Sequence, residues 1–409
     1  MRHSRMMLLF AALWLIPATA THAQPSRRVF RPRMTQPAIV LLNGNAPVIN
    51  AQALNAKDAA YSFEITDPAS GAVVAAREAL TVADIPGVSS VHGENKNLTV
   101  QLPPSLAPGL YSLRVTSVID GESATETIPR SVWVLAQAPD TVTFAHVSDT
   151  HAGDPRAAMA PSAETPDERR EKVFRAACAS GADFVILTGD LVSVPGNYKN
   201  EYRQAYEEIE AHVSCPVFAV PGNHDLYTTH ATKESADGRT FWKRYFGDER
   251  YAFTIGRFAF VITNSYDWPA QYRNFMNQPL MRQVGSYSSG AMSLEQYDWL
   301  DQTLSALSGK TTLVFGHHLF RDYSTKNSDV PGLVAPDRVL ELLAARGVTR
   351  YFAGHNHRNT EETVRGVILS TVVSAASDIP EDASWGFRKC TAHSATVSCE
   401  FISVVQRTD

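Results

Sequence analysis

Five short apolar runs in this chain each end directly in metal-ligand residue types, and this is the feature that most limits what the chain can fold into. They are Ala-His-Val-Ser-Asp149-Thr-His151, Ile-Leu-Thr-Gly-Asp190, Val-Pro-Gly-Asn223-His224-Asp225, Leu-Val-Phe-Gly-His317-His318 and Phe-Ala-Gly-His355-Asn-His357. In open α/β sheets, ligands gather beyond the carboxyl ends of the strands. Runs of this kind therefore predict that all five clusters meet on one edge. Gly189, Gly222, Gly316 and Gly354 precede the clusters, where they let the backbone turn sharply. Singly, each cluster is ordinary: Asp-x-His is common on surfaces and Gly-Asn is an everyday turn. Five in order, all rich in His, Asp and Asn, point to a site for two metal ions.

The clusters occupy only part of the 409 residues, a length that suits two or three domains at ~150 residues each. From about residue 30 to 138 the pattern has a period of two. Phe63 and Ile65 alternate with polar neighbours, as do Leu98, Val100 and Leu102, then Tyr111, Leu113 and Val115. Turn signals such as Asp67-Pro68 and Ala107-Pro108-Gly109 separate them. Short strands between turns predict a small all-β sandwich, similar to fibronectin or immunoglobulin modules. Residues 136–140, with Pro139, read as the linker. From residue 140 to 409 the rhythm becomes strand and helix in alternation. Strands are expected at 143–147, 184–188, 217–220, 312–315 and 350–353, and a hairpin at 251–255 and 258–263. Helices are expected at 169–180, 202–213, 293–307 and 336–346. The helix at Ser293 carries the start of a capping box, with Gln296 three residues on. Such alternation implies sheets covered by helices. His146, Trp133 and Trp299 read as core residues.

Residues 1–23 have the layout of a secretory leader. Arg2 and Arg5 precede eleven uninterrupted apolar residues, and small residues follow up to Ala23. Eleven residues fall short of the ~18 that span a bilayer, so export is expected, to a periplasm or the extracellular space, without stable membrane insertion. The four cysteines would then lie in an oxidising compartment. Cys390 and Cys399 sit at the ends of a hairpin pattern, which would bring them opposite each other. Cys178 and Cys215 form the remaining pair, with buried free thiols as the alternative for each. A net charge of −5 argues against coating nucleic acid, which needs many phosphates neutralised.

The series Asp-x-His, Gly-Asp, Gly-Asn-His-Asp, Gly-His and Gly-His-x-His resembles the calcineurin-like metallophosphoesterase family, from about residue 140 to the C-terminus. The resemblance implies an α+β fold, a two-sheet β-sandwich flanked by helices with two metals at its crest. By position, it implies one metal held by Asp149, His151, Asp190 and His357. A second would be held by Asp190, Asn223, His317 and His355, with Asp190 bridging. Mixed nitrogen and oxygen ligation suits manganese, iron or zinc. Two such ions clamp a phosphate and acidify a bridging water, so that hydroxide attacks phosphorus. His224 matches the family's acid histidine, and Asp225 is expected to orient rather than ligate.

One position departs from the better-known branches. Three residues after Asp190 stands Ser193, where purple acid phosphatases carry a tyrosine ligand and serine/threonine protein phosphatases an acidic residue. The pattern is closer to the cyclic-nucleotide phosphodiesterase and generic phosphoesterase branch. His318, Tyr198, Asn200, Tyr227, Arg321 and Tyr323 lie beside the clusters and are candidates to contact a small phosphate-ester substrate. Monoesterase sites usually add a cation near the metals, and the clusters contain no Arg or Lys. Arg321 and Arg358 are the nearest candidates for that role. A diester needs less charge compensation and gains more from a positioned acid. Diester hydrolysis is therefore expected, with monoester hydrolysis as the alternative. A binding protein that keeps the fold as a scaffold is the reading from another functional class.

Overall fold

Parallel strands covered on both faces need no polar side, and the apolar runs supply this. In the computed structural model, Phe184–Thr188, Val217–Val220 and Phe258–Ile262 are buried at every position. The structure describes residues 29–42, 48–54, 60–78, 81–84, 95–103, 105–119, 121–160, 162–231, 234–377, 384–406 and 408. The expected leader, 1–23, lies outside the described residues.

Two sheets form the larger part of the fold. The first runs Val217–Val220, Phe184–Thr188, Thr141–Val147, Ser384–His393, Thr396–Gln406. Its first three strands are parallel, and the last two add an antiparallel hairpin. The second runs Tyr251–Ile255, Phe258–Ile262, Thr311–Phe315, Arg350–Ala353, Val367–Thr371, Glu361–Val364. Its four inner strands are parallel and each edge is closed by an antiparallel pair.

The two sheets pack through a layer of phenylalanines. Phe144 meets Phe260, Phe315 and Phe352 edge-on at 5.9, 5.8 and 5.4 Å between ring centroids. Edge-to-face contacts of this kind add about 0.5–1.5 kcal/mol each beyond burial. Along Thr141–Val147, Val142 and Phe144 face this layer while Ala145 and Val147 face the helices. His146 is fully buried beside Phe352, its Nε2 2.8 Å from Thr188 Oγ1. It is a core histidine, as its place inside a strand suggests.

Helices Pro166–Ala179 and Tyr198–His212 cover the first sheet, and Leu294–Ala306 and Pro336–Ala345 the second. The first helix begins three residues before the expected Arg169, because Thr165 and Glu168 close a capping box and Pro166 occupies the first turn. At Ser293 the expected box stays half made. Ser293 Oγ accepts from the Gln296 amide at 3.2 Å, but the Gln296 side chain pairs with the backbone of Asn264 instead. Trp133 is buried as expected. Trp299 is only half-buried, with the Arg250 guanidinium over its ring, and the deepest indoles are Trp242, Trp268 and Trp385.

The N-terminal strands form two further sheets. One contains Val29–Arg31, Val48–Leu54, Asn95–Gln101 and Thr81–Asp84; the other contains Ala38–Leu41, Glu122–Leu135, Gly109–Ile119, Ala60–Thr66 and Val73–Glu78. Both contribute to one core that includes Val40, Ile49, Phe63, Leu98, Leu113 and Val132. This unit braces the larger one. Arg130 donates to the carbonyls of Ile209 and Glu210 near the end of helix Tyr198–His212, and Thr35 donates to Phe246 O.

Cys390 and Cys399 face each other across the terminal hairpin and are bonded, as are Cys178 and Cys215. The second bridge closes a sequence separation of 37 and the first one of 9. Chain-entropy arithmetic gives about 4 kcal/mol for the long loop and about 2.7 kcal/mol for the short one. Replacing Cys178 and Cys215 by alanine should therefore lower unfolding free energy by about 1 kcal/mol more than replacing Cys390 and Cys399. Urea denaturation of the two double variants checks this, and the reverse order would contradict it.

Candidate metal centre

All five clusters stand at the carboxyl ends of parallel strands. Asp149, Asp190 and Asn223 follow strands of the first sheet; His317 and His355 follow strands of the second. The site therefore straddles the crest between two sheets. The loops are held by one another. Asp149 N donates to Gly189 O at 3.1 Å, His151 N to Asp190 O at 2.9 Å, and Gly354 N to His317 O at 2.9 Å. Of the four preceding glycines only Gly189 has a positive φ; Gly222, Gly316 and Gly354 act by making room rather than by turning. A Cβ on Gly222 would lie 2.2 Å from Asp190 Oδ1, and one on Gly354 would lie 1.8 Å from Ser148 Oγ.

The backbone at the ligands is unusual. Asp149, His151, Asp190, His355 and His357 have φ of 52, 44, 52, 69 and 53°. They are five of the eight non-glycine residues with positive φ among those described. Such conformations cost of order 1–3 kcal/mol each and persist only where the surroundings fix them.

The side chains converge. Asp149 Oδ1 lies 3.2 Å from His357 Nε2 and 3.7 Å from His151 Nε2. Asp190 Oδ2 lies 3.2 Å from His317 Nε2 and 3.8 Å from His151 Nε2. Asp149, Asp190 and His317 bring one donor atom each within 4.8 Å of one another, as do Asp149, His151 and His357. Asn223 is buried, its Nδ2 donating to Tyr227 Oη at 2.8 Å. His355 N donates to Asp149 Oδ2 at 3.0 Å.

These residues fit a pair of metal ions. Asp149 Oδ1, Asn223 Oδ1 and His317 Nε2 are buried with no hydrogen-bond partner among the described residues. Buried polar atoms are seldom left so. His317 donates from Nδ1 to Thr188 O at 2.7 Å, which leaves the lone pair on Nε2 for the cluster. The electrostatics agree. Burial would raise the Asp190 carboxyl, yet the imidazoles of His317 and His224 hold it well below the usual range. Burial opposes a proton on His317, but Asp190 and Asp149 raise it to about 10. A field that attracts a proton so strongly attracts a cation as well, and metal binding displaces that proton.

His224 is placed beside the cluster. Its Nδ1–H donates to Ser193 O, its backbone N–H donates to Asp190 Oδ1 at 2.9 Å, and its carbonyl accepts from Tyr198 Oη. Burial lowers its affinity for a proton, and the Asp190 charge opposes that effect. Asp225 accepts the backbone N–H groups of Leu191, Val192 and Gly222 at 2.8, 3.1 and 2.8 Å, tying the second loop to the third. Burial, with the neighbouring Asp190, pushes its carboxyl up to about 7.

Of the candidate substrate contacts, His318 sits against the ligands, its ring 4.3 Å from His355 and its Nδ1 2.9 Å from Ser265 Oγ. Arg321 instead bonds to Glu362, and Arg358 is exposed. Tyr198 and Tyr227 hold His224 and Asn223 from behind. Tyr323 is buried, and Asn200 pairs with Asn197 on the surface. Sequence reasoning missed several supports. Ser265 Oγ accepts from the backbone N–H groups of both His317 and His318. The Glu201 carboxylate accepts from Ser193 N and Val194 N, fixing the loop that carries the His224 acceptor. Arg156, five residues past His151, is held by Asp154 through two of its nitrogens, and its charge acts on His224 and Tyr227. Its signal in the sequence is the Asp154-Pro155-Arg156 turn that follows the first cluster.

Comparisons with known proteins agree with this geometry. A family model described as calcineurin-like phosphoesterase matches residues 142–359. The mouse (Mus musculus) serine/threonine-protein phosphatase CPPED1 is 29% identical over 206 residues, covering 47% of this chain and 58% of its own length. A probable glycerophosphodiester phosphodiesterase GpdQ of Arcobacter nitrofigilis is 26% identical over 202 residues, 49% of this chain and 66% of its own. The chain thus spans less than two-thirds of the length of either relative. In fold it is similar to the purple acid phosphatase PPD1 of yellow lupin seeds, with a TM-score of 0.50 at 12% identity over 88% of this chain and 70% of that one. With a match over more than half its length and the full series of strand-end clusters, the chain belongs to the calcineurin-like phosphoesterase family.

Proposed function

We propose that this protein is an exported hydrolase of small phosphate esters that works with two metal ions, favouring diesters. The observation that carries the reading is the convergence of Asp149, Asp190, His151, His317, His355 and His357, with donor atoms of Asp149, His317 and the buried Asn223 unpaired among the described residues. Asp149, His151, Asp190 and His357 would hold one ion; Asp190, Asn223, His317 and His355 the other, manganese, iron or zinc being suited to these donors. Bound there, the pair supplies Lewis-acid charge to the phosphoryl group and acidifies water.

The chain's own residues do the rest. With Nδ1–H committed to Ser193 O, the proton that His224 gives or takes sits at Nε2. Tyr198 and Asp190 fix the backbone of His224 on both sides, so its ring is oriented before substrate arrives. That arrangement suits a general acid for an alkoxide leaving group. Arg321 is neutralised by Glu362 and Arg156 by Asp154, so the cationic charge around the cluster is largely balanced, which suits a diester with one negative charge. The alternative, a phosphomonoesterase, would need a cation such as Arg156 to turn from Asp154 towards the phosphate. All seven ligand positions being filled argues against a non-catalytic scaffold. Export is supported by the two disulfides, which persist in oxidising compartments. Among the described residues, no helix is long and apolar enough to cross a membrane.

Matched aryl mono- and diesters assayed with manganese test the reading. A diester preference is expected, and a monoester preference of about a hundredfold, roughly 2.7 kcal/mol, would overturn it. Asp190→Asn should abolish turnover and remove both ions, as measured by elemental analysis. Two ions retained with normal activity would refute its bridging role. His224→Ala should keep both ions yet slow an ester with an unactivated leaving group by about 10²-fold or more; an unchanged rate would exclude the acid role.

A further inference from the structure

Glu201 lies in the first turn of helix Tyr198–His212 and is almost completely buried. An acidic residue at this place ordinarily turns to the free N–H groups of its own helix. Glu201 instead reaches back to the loop before it, where its Oε2 accepts from Ser193 N and Val194 N, both at 2.9 Å. A Cβ on Gly153 would lie 2.6 Å from Glu201 Cγ, so the loop that follows His151 packs against the same side chain. No cation pairs with Glu201 among the described residues, and burial pushes its carboxyl up from the usual range. A buried carboxylate met by neutral donors is costly, and an apolar side chain would cover this face of the helix without that cost.

The second donor shows what the carboxylate holds. Val194 N–H and Ser193 C=O belong to one peptide group, which is planar, so fixing one end of it directs the other. Ser193 O is the atom that accepts from His224 Nδ1–H. A continuous series therefore runs from the Glu201 carboxylate through one peptide plane to the imidazole. Negative charge on the N–H side also polarises the peptide and makes its oxygen a stronger acceptor. The same helix turn supplies Tyr198, whose hydroxyl donates to His224 O. Ring and backbone of His224 are thus both held from one turn of helix.

We propose that Glu201 is a positioning residue for proton transfer at this centre, acting on His224 through the Ser193–Val194 peptide. This rests on the preceding reading, in which His224 protonates the leaving oxygen. With Nδ1–H held, the imidazole keeps one orientation and its Nε2 proton one direction. A ring free to turn about its side-chain bonds loses that alignment, and a misplacement of about 1 Å costs up to about 10²-fold.

The test compares two diesters on the full chain loaded with manganese. Methyl 4-nitrophenyl phosphate has a leaving phenolate that departs unprotonated, whereas the leaving alkoxide of methyl benzyl phosphate needs a proton. Glu201→Leu fills the space but accepts no hydrogen bond. It is expected to lower kcat for the benzyl ester by about tenfold or more and for the nitrophenyl ester by less than about twofold, with both ions retained on elemental analysis. Glu201→Gln, whose amide oxygen can accept both N–H groups, should restore most of the benzyl rate. A second readout needs no turnover. With zinc in place of manganese, the His224 Nδ1 proton, identified by its absence in His224→Ala, should give a downfield nuclear magnetic resonance line that survives Glu201→Gln and is lost in Glu201→Leu. If His224→Ala slows neither ester, the acid reading fails, and loss of the line in the leucine variant still supports the positioning. Equal slowing of both esters by Glu201→Leu, or a line unchanged in that variant, overturns the proposal. Should leucine prevent folding, hydrogen exchange in the unsubstituted protein decides: the Ser193 and Val194 amides are expected to be protected, and exchange as fast as in an exposed loop overturns the link.

Discussion

Two carboxylates, Asp149 and Asp190, are almost completely removed from solvent at the crest of the molecule. A buried charge is costly unless it is paired and hydrogen-bonded. Here the compensation comes from four loops at once: His151 from the first, His224 N from the third, His317 from the fourth, and His355 N and His357 from the fifth. Few loops could be moved without leaving one carboxylate short of a partner. The two-sheet core serves this arrangement by bringing the strand ends of both sheets to the same height, through the ring layer around Phe144.

The N-terminal sheets are joined to the same problem indirectly. Arg130 grips the far end of helix Tyr198–His212. That helix supplies Tyr198, which holds the His224 carbonyl, and Glu201, which holds the loop of Ser193. The β-rich unit therefore supports the helix that shapes the acid side of the centre, and none of its described residues is among the ligands.

Much of this was legible in the sequence, because strands buried on both faces are continuous apolar runs and their ends are marked by polar ligands. Phe184–Thr188, Val217–Val220 and Arg350–Ala353 stand where the pattern placed them. The misses share a physical cause. Gln296 has the spacing of a capping partner, but a tertiary neighbour, Asn264, competes for the same amide. Trp299 reads as core because indoles usually are, whereas its position under Arg250 depends on a contact across 49 residues. Arg321 was near the cluster in sequence, but a carboxylate on another strand, Glu362, claims it. Ser265 lies in a stretch whose one helix of more than a turn is the short Gln278–Val284, so no period of strand or helix places it beside His317.

The left-handed backbone at five ligand positions links two requirements that are usually separate. Histidine, aspartate and asparagine are both good metal donors and the non-glycine residues most at ease with positive φ. At Asp149, His151, Asp190, His355 and His357, one residue choice therefore satisfies the loop and the ion together. Replacement by a β-branched residue would lose a donor and also force the chain out of its turn, so such a change is penalised in folding before chemistry is considered. Glycine would ease the turn but give up the donor. Drift towards an inactive but well-folded descendant is thus channelled through a narrow set of substitutions, and the inheritance of the centre is protected by the shape of its own loops.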